Sequence, residues 1–200
     1  GDPVCSEQQL PELMQAFHDY CKKIAKSIVY VTATQKFMDW AITHGFCQCS
    51  AAIGDEIILN PQTDPRARRG ADGSSLRNKY TYSVRQGITV QEYTGGDQAL
   101  EQQLEAVKNA WLSSRKGKQL FLFSEIAVFE HRDNKRYFYA QHEGKIVGLL
   151  ILNRIDAYQG WVLNMLMLVP GAPTTTSEFL IMNALEILRN EGCPFFSVGT

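Results

Sequence analysis

The stretch KIVGLLILNRIDAYQGWVLNMLMLVPGAP, residues 145–173, decides the fold. Ile146 to Ile155 and Trp161 to Val169 are two apolar runs bounded by turn residues at Glu143-Gly144, Gln159-Gly160 and Pro170-Gly171. Their apolar character is nearly continuous, the pattern of a strand covered on both faces rather than one facing water. Trp161 to Val169 is therefore expected to be a central strand. Tyr137 to His142 supplies a third strand ahead of the Glu143-Gly144 turn, which makes an antiparallel meander. Downstream, Thr176 to Glu191 has the pattern of a helix stopped by Gly192, and Phe195 to Val198 begins a further strand.

Upstream of the meander the period changes from two to three and four. Asp97 to about Lys116 carries Leu100, Leu104, Val107 and Trp111 on one helical stripe, and Ile88 to Tyr93 before it is a strand. Ser74 or Ser75 can cap a helix to Gln86 with Leu76, Tyr80 and Val84 inward. The segment NPQTDPRARRGADGSS, residues 60–75, has two prolines, two glycines and no large apolar residue, so it is expected to link two folding units. These units are residues 1–70 and 71–200. In the first, Leu10 to Lys26 is an amphipathic helix, Ser27 to Thr32 a buried strand, and Gln35 to Gly45 a second helix. Phe46 to Ile53 and Glu56 to Leu59 are expected as strands joined by a hairpin at Gly54-Asp55.

Composition removes several function classes. A net charge of −1 gives no overall attraction to phosphate, so any nucleic-acid contact must come from local basic patches. No stretch reaches the about 18 apolar residues of a membrane span, and GDPVCSEQQL has no signal-peptide pattern, so a cytosolic protein is expected, peripheral at any membrane it meets. The five cysteines are odd in number and lack a CxxC pair, and the four histidines show no metal-ligand spacing. Cys47 and Cys49 are expected on one strand face as small buried hydrophobes.

The element order of residues 71–200, helices, meander, helix, strand, is that of an acyl-CoA N-acyltransferase (GNAT) half. Four stretches carry a narrower resemblance: SLRNKYTYSVRQGITVQEY (75–93), AWLSSRKGK (110–118), KIVGLLILNR with WVLNMLMLVPGAPTTTSEFL (145–154 and 161–180), and FFSVGT (195–200). They resemble the C-terminal domain of phosphatidylglycerol lysyltransferases and relatives that aminoacylate lipids or sterols. HGFCQCSAAIGDEIILNP (44–61) extends the likeness into the first unit. The resemblance implies an α+β protein of two GNAT-like halves, with a mostly antiparallel mixed sheet flanked by helices. Residues 1–70 are then the C-terminal part of a first half plus a linker, and 71–200 a second half cut short at its C-terminus.

It further implies transfer of an amino acid from aminoacyl-tRNA to a hydroxyl of phosphatidylglycerol or a sterol, with neither metal nor bound coenzyme. An aminoacyl-tRNA synthetase is a further possible partner, and DNA is not. Where such proteins carry an aspartate and, three residues on, an arginine, this chain has Asn164 and Met167. Two other classes stand beside this expectation: a tRNA- or lipid-binding module that has lost catalysis, and a small-molecule N-acyltransferase.

The candidate residues follow from the chemistry. A hydroxyl attacking an activated ester needs positioning and oxyanion stabilisation, and Asn164 is the first candidate for orienting the aminoacyl group. Tyr139, Asp156 and Glu125 are weaker ones. Arg77, Lys79 and Arg85 on one helix and Arg115, Lys116 and Lys118 after another form two basic groups, suited to tRNA phosphates or to a solvated surface. Pro170 and Pro173 remove two backbone donors from the turn where coenzyme A pyrophosphate would sit, which disfavours acetyl-CoA. Thr175 and Thr176 at the following helix start can bind one phosphate, or Thr175 and Glu178 can form a capping box.

Overall fold

The structure, a computed structural model, describes residues 1–115 and 127–199. Lys116, Lys118 and Glu125 lie outside them. The chain forms two compact units, Gly1–Asp55 and Glu56–Thr200.

In the first unit, α1 spans Leu10–Lys23 and α2 Gln35–Thr43. Thr34 caps α2, its hydroxyl accepting from the Phe37 N–H, and Asp2 in turn accepts from the Thr34 N–H and hydroxyl at 2.7 and 2.6 Å. Met14, Phe37 and Ala41 form the small buried core. The expected strands at Ser27 to Thr32 and Phe46 to Ile53 do not form, and neither does the Gly54-Asp55 hairpin. An apolar run becomes a strand only with a neighbour to complete its ladder, and no described strand pairs with either segment. Val29 is accordingly 81% exposed. Cys49 is exposed as well, and Cys47 half-buried, so their expected burial on one strand face is also corrected.

The second unit is built on one sheet. Its strands are β1 (Ile57–Leu59), β2 (Thr89–Tyr93), β3 (Lys135–His142), β4 (Lys145–Ile155), β5 (Gly160–Leu168) and β6 (Phe196–Gly199), in spatial order β1-β6-β5-β4-β3-β2. All neighbours are antiparallel except β5 and β6. The central place expected for Trp161 to Val169 is the one β5 holds.

Three helices cover the two faces. These are α3 (Ala71–Arg85), α4 (Gln98–Ser113, capped by Asp97) and α5 (Thr176–Asn190). Phe138, Leu150 and Leu152 point from the sheet to a core with Leu180 and Leu188 of α5, while Leu149, Ile151 and Met167 point to a second core with Leu104 and Val107 of α4. Burial on both faces is the physical reason that β4 reads as a continuous apolar run.

Two helix starts differ from expectation. α3 begins at Ala71, with Gly70 at a φ of +93° as its cap, instead of at a serine. Its buried face holds Gly73 and Ser83, and Val84 is half exposed. Small residues are needed there: a Cβ at Gly73 would lie 2.0 Å from the Arg68 carbonyl oxygen. The Thr175–Glu178 capping box is absent, because the Thr175 hydroxyl bonds Ser83 Oγ at 2.7 Å and Glu178 bonds Lys79 at 2.6 Å. Tertiary partners from α3 displaced the local ones.

An ionic cluster ties the segment before α3 to α5. Asp64 accepts from Arg66 at 2.8 Å and from Arg189 at 2.9 Å, and Arg66 also reaches Glu186. These bonds, those from Arg66 first, hold the Asp64 carboxyl well below the usual carboxylate range against the opposing effect of burial. A depressed native pKa means that the stabilisation is present above the unfolded value near 4 and is lost as pH falls toward the native one. Asp64→Asn is therefore expected to lower Tm at pH 7, with the gap to the parent protein shrinking from pH 5 to pH 2. A gap independent of pH in thermal melts would rule out the ionic account.

Candidate active site

β5, α5 and β6 form a crossover unit, so β5 and β6 run parallel. They pair only at Trp161 with Phe196 and Val162 with Ser197. Beyond these positions β6 stays with β1, through Gly199 and Ile57, while β5 continues along β4 to Leu168. The two strands thus part, leaving a wedge toward their C-terminal ends, the side of a parallel pair where ligands bind. Gly160 fixes the closed end: a Cβ there would lie 2.3 Å from the Phe195 carbonyl oxygen, which accepts from the Trp161 N–H at 3.1 Å.

Asn164 sits where the wedge begins. On β4, Leu152 pairs with Leu163 and Ile151 with Met165, so Asn164 is the extra residue of a β-bulge. It is exposed, in a strand whose other side chains are buried or half-buried. A bulge leaves a peptide group outside the ladder, and such a backbone donor is available to a bound ester carbonyl. Met167, by contrast, is fully buried against α4 and contributes only packing.

Two polar side chains near the bulge went unnoticed in the sequence. Asn153 of β4 and Lys135 of β3 are register partners, and Asn153 also pairs with Val162 of β5. Both continue the α4-facing alternation of Ile151 and Tyr137. Asn153 Oδ1 is buried with no hydrogen-bond partner. Lys135 Nζ donates to the carbonyls of Ala127 and Val128, each at 3.3 Å, and burial pushes its pKa down. Arg132, paired with Glu101 of α4, anchors this segment by donating to Phe129 O. The available signal was polarity at an inward position: one Asn and one Lys in phase with buried neighbours.

The other candidates are scattered. Tyr139 is buried and donates its hydroxyl to Gln91 Oε1 at 2.7 Å, with β4 between it and Asn164. Asp156 lies in the β4–β5 connection, exposed and paired with Arg154 at 2.6 Å. Arg77 donates to the carbonyls of Arg66 and Arg68, and Lys79 pairs with Glu178, so both brace α3. Arg85 is exposed without a partner among the described residues, and the Arg115 guanidinium lies 4.2 Å from the Trp111 ring centroid. Thr175 and Thr176 are buried, and the Thr176 hydroxyl donates to Pro173 O. Pro170 and Gly171, with a φ of +84°, form a turn whose Ala172 N–H is taken by Val169 O.

The family described as phosphatidylglycerol lysyltransferase, C-terminal, matches residues 1–200. No curated protein matches the chain. Among solved structures it is similar to the C-terminal DUF2156 domain described as that of a lysylphosphatidylglycerol synthetase from Agrobacterium fabrum, at 17% identity and a TM-score of 0.77. That match covers 100% of this chain and 62% of the other. It is similar also to L-PGS from Bacillus licheniformis, at 18% identity and a TM-score of 0.77, over 100% of this chain and 60% of the other. A tandem GNAT protein from the clavulanic acid biosynthesis pathway matches at 15% identity and a TM-score of 0.52, over 99% of this chain and 63% of that one. The chain thus spans about three fifths of the length of these proteins. Its fold is α+β and GNAT-like, and by a match over its whole length it belongs to the phosphatidylglycerol lysyltransferase C-terminal family.

Proposed function

We propose that this chain is part of an enzyme that moves an amino acid from aminoacyl-tRNA to a hydroxyl of a membrane lipid, phosphatidylglycerol or a sterol. The observation that carries the proposal is the bulge at Asn164, exposed where β5 and β6 part. The lipid hydroxyl attacks the ester carbonyl, the bond to the ribose oxygen breaks, and the hydroxyl proton ends on that oxygen. Asn164 orients the ester, and the bulge peptide stabilises the developing oxyanion. Arg85 and Arg115 meet tRNA phosphates, since Arg77 and Lys79 are already engaged within the fold.

Membrane contact is peripheral in this proposal. No helix among the described residues is long and apolar enough to cross a membrane. The Pro170 to Pro173 turn has few free backbone donors, which supports tRNA rather than coenzyme A as the acyl carrier. A catalytically inactive binding module is the second reading, favoured by Met167 standing buried where the family resemblance implies an arginine.

The test incubates the full-length protein with tRNAs bearing labelled amino acids and vesicles of phosphatidylglycerol or sterol in phosphatidylcholine. A labelled, base-sensitive lipid ester is expected. Arg85→Glu with Arg115→Glu should weaken tRNA binding and flatten its salt dependence. No labelled lipid with any charged tRNA would favour the binding module.

A further inference from the structure

Lys135 and Asn153 stand opposite each other on one face of the sheet, beside the bulge. Each is incomplete in a complementary way. Lys135 is half-buried, and its ammonium uses two of its three N–H groups on backbone carbonyls. Among the described residues no carboxylate pairs with it, and Glu130 acts on it only from beyond ion-pair distance. Asn153 has a buried carbonyl oxygen that accepts nothing. A buried acceptor left unmade costs free energy that a ligand donor would recover.

A group that satisfies both at once carries a donor and an acceptor a few ångströms apart, and the strongest pairing is an ammonium on the amide oxygen with a carboxylate on the lysine. In an aminoacyl ester the α-carboxyl is consumed by the ester bond, so the carboxylate has to come from the side chain. We propose that Lys135 and Asn153 form the subsite for the transferred aminoacyl group and select an acidic one, aspartyl or glutamyl. Lys135 Nζ takes the side-chain carboxylate, and Asn153 Oδ1 takes the α-ammonium. A lysyl group would place a second cation beside Lys135, and the α4 carboxylates Glu101 and Glu105 are already paired with Arg132 and Lys108. The assignment rests on the aminoacyl-transfer reading above and names the amino-acid class for the same site.

Two measurements separate the subsite from that reading. In the lipid-labelling assay, kcat/KM for aspartyl- or glutamyl-tRNA is expected to exceed that for lysyl-tRNA at least tenfold. Lys135→Glu should invert the order, and Lys135→Arg should keep it. A merely structural lysine would lower all donors together. Equal or better transfer from lysyl-tRNA overturns the subsite and leaves lipid aminoacylation standing. Calorimetric titration with aspartic acid α-amide and with lysinamide, which need no turnover, is the second measurement. The aspartyl amide is expected to bind tighter and to lose at least tenfold on Lys135→Gln or Asn153→Leu, in variants whose Tm is kept. Discrimination between the amides without any lipid product supports the subsite and sinks the lipid reading. No discrimination between them overturns the proposal.

Discussion

Replacing Asn164 by alanine is expected to lower turnover a hundredfold or more, on the order of 3 kcal/mol of transition-state stabilisation, while leaving tRNA affinity nearly unchanged. Asn164 has no hydrogen-bond partner among the described residues and is exposed, so the fold makes no use of its side chain. Tm should stay within about 2 °C of the parent protein, as for a surface change of under 0.5 kcal/mol. If the side chain instead served the strand end, the variant would lose about 1 kcal/mol of stability and activity would fall only with folded protein. Undiminished kcat in the labelling assay would remove Asn164 from the site. Asn164→Asp is the informative second variant. Adding Met167→Arg would bury an unpaired guanidinium at a fully buried position, at a cost of several kcal/mol.

The second large effect is structural and sits at the other end of the wedge. Gly160→Ala places a Cβ 2.3 Å from Phe195 O and 2.7 Å from Phe195 Cβ. Backbone lies on one side of that contact, so the α5–β6 connection must move. The loss is expected to be about 3 kcal/mol, the upper end for overpacking, or roughly 6–12 °C in Tm for a unit of this size. Displacing Phe195 also breaks its bond with the Trp161 N–H and disturbs the stacked Tyr158–Phe195 rings, 4.6 Å apart. Transfer activity should fall along with stability. A variant that melts like the parent protein would refute the close approach.

The meander was legible because its signals are local and agree with one another. Gly144 and Gly160 mark turns, and the apolar runs between them tolerate burial on both faces. The first unit was misread for the same reason turned around. Ile28 to Val31 has the composition of a strand, but pairing depends on a neighbour that composition does not reveal. Asn164 was singled out by the family resemblance, which implies an aspartate at its position, whereas its bulge is a property of register with β4 and has no sequence signature. Lys135 and Asn153 escaped because each is unremarkable alone, and only the β3–β4 register brings them together. At the start of α5, the local capping pattern of Thr175 and Glu178 lost to partners 92 and 99 residues away in α3.

The pairing of β1 with β6 bears on how the chain is made. Ser197 Oγ donates to Glu56 Oε1 at 2.5 Å across 141 residues of sequence, and Ile57 lies opposite Gly199. During synthesis at about 5–20 residues per second, β1 emerges many seconds before its partner. Through that interval Ile57 and Ile58, more than half exposed even in the finished sheet, offer an unpaired apolar edge. Such distant pairings form late, because the loop must close before any contact rewards it. The wedge beside Asn164 therefore takes shape only when β6 docks between β1 and β5, and a chain whose synthesis stalls before β6 leaves both strands open to aggregation.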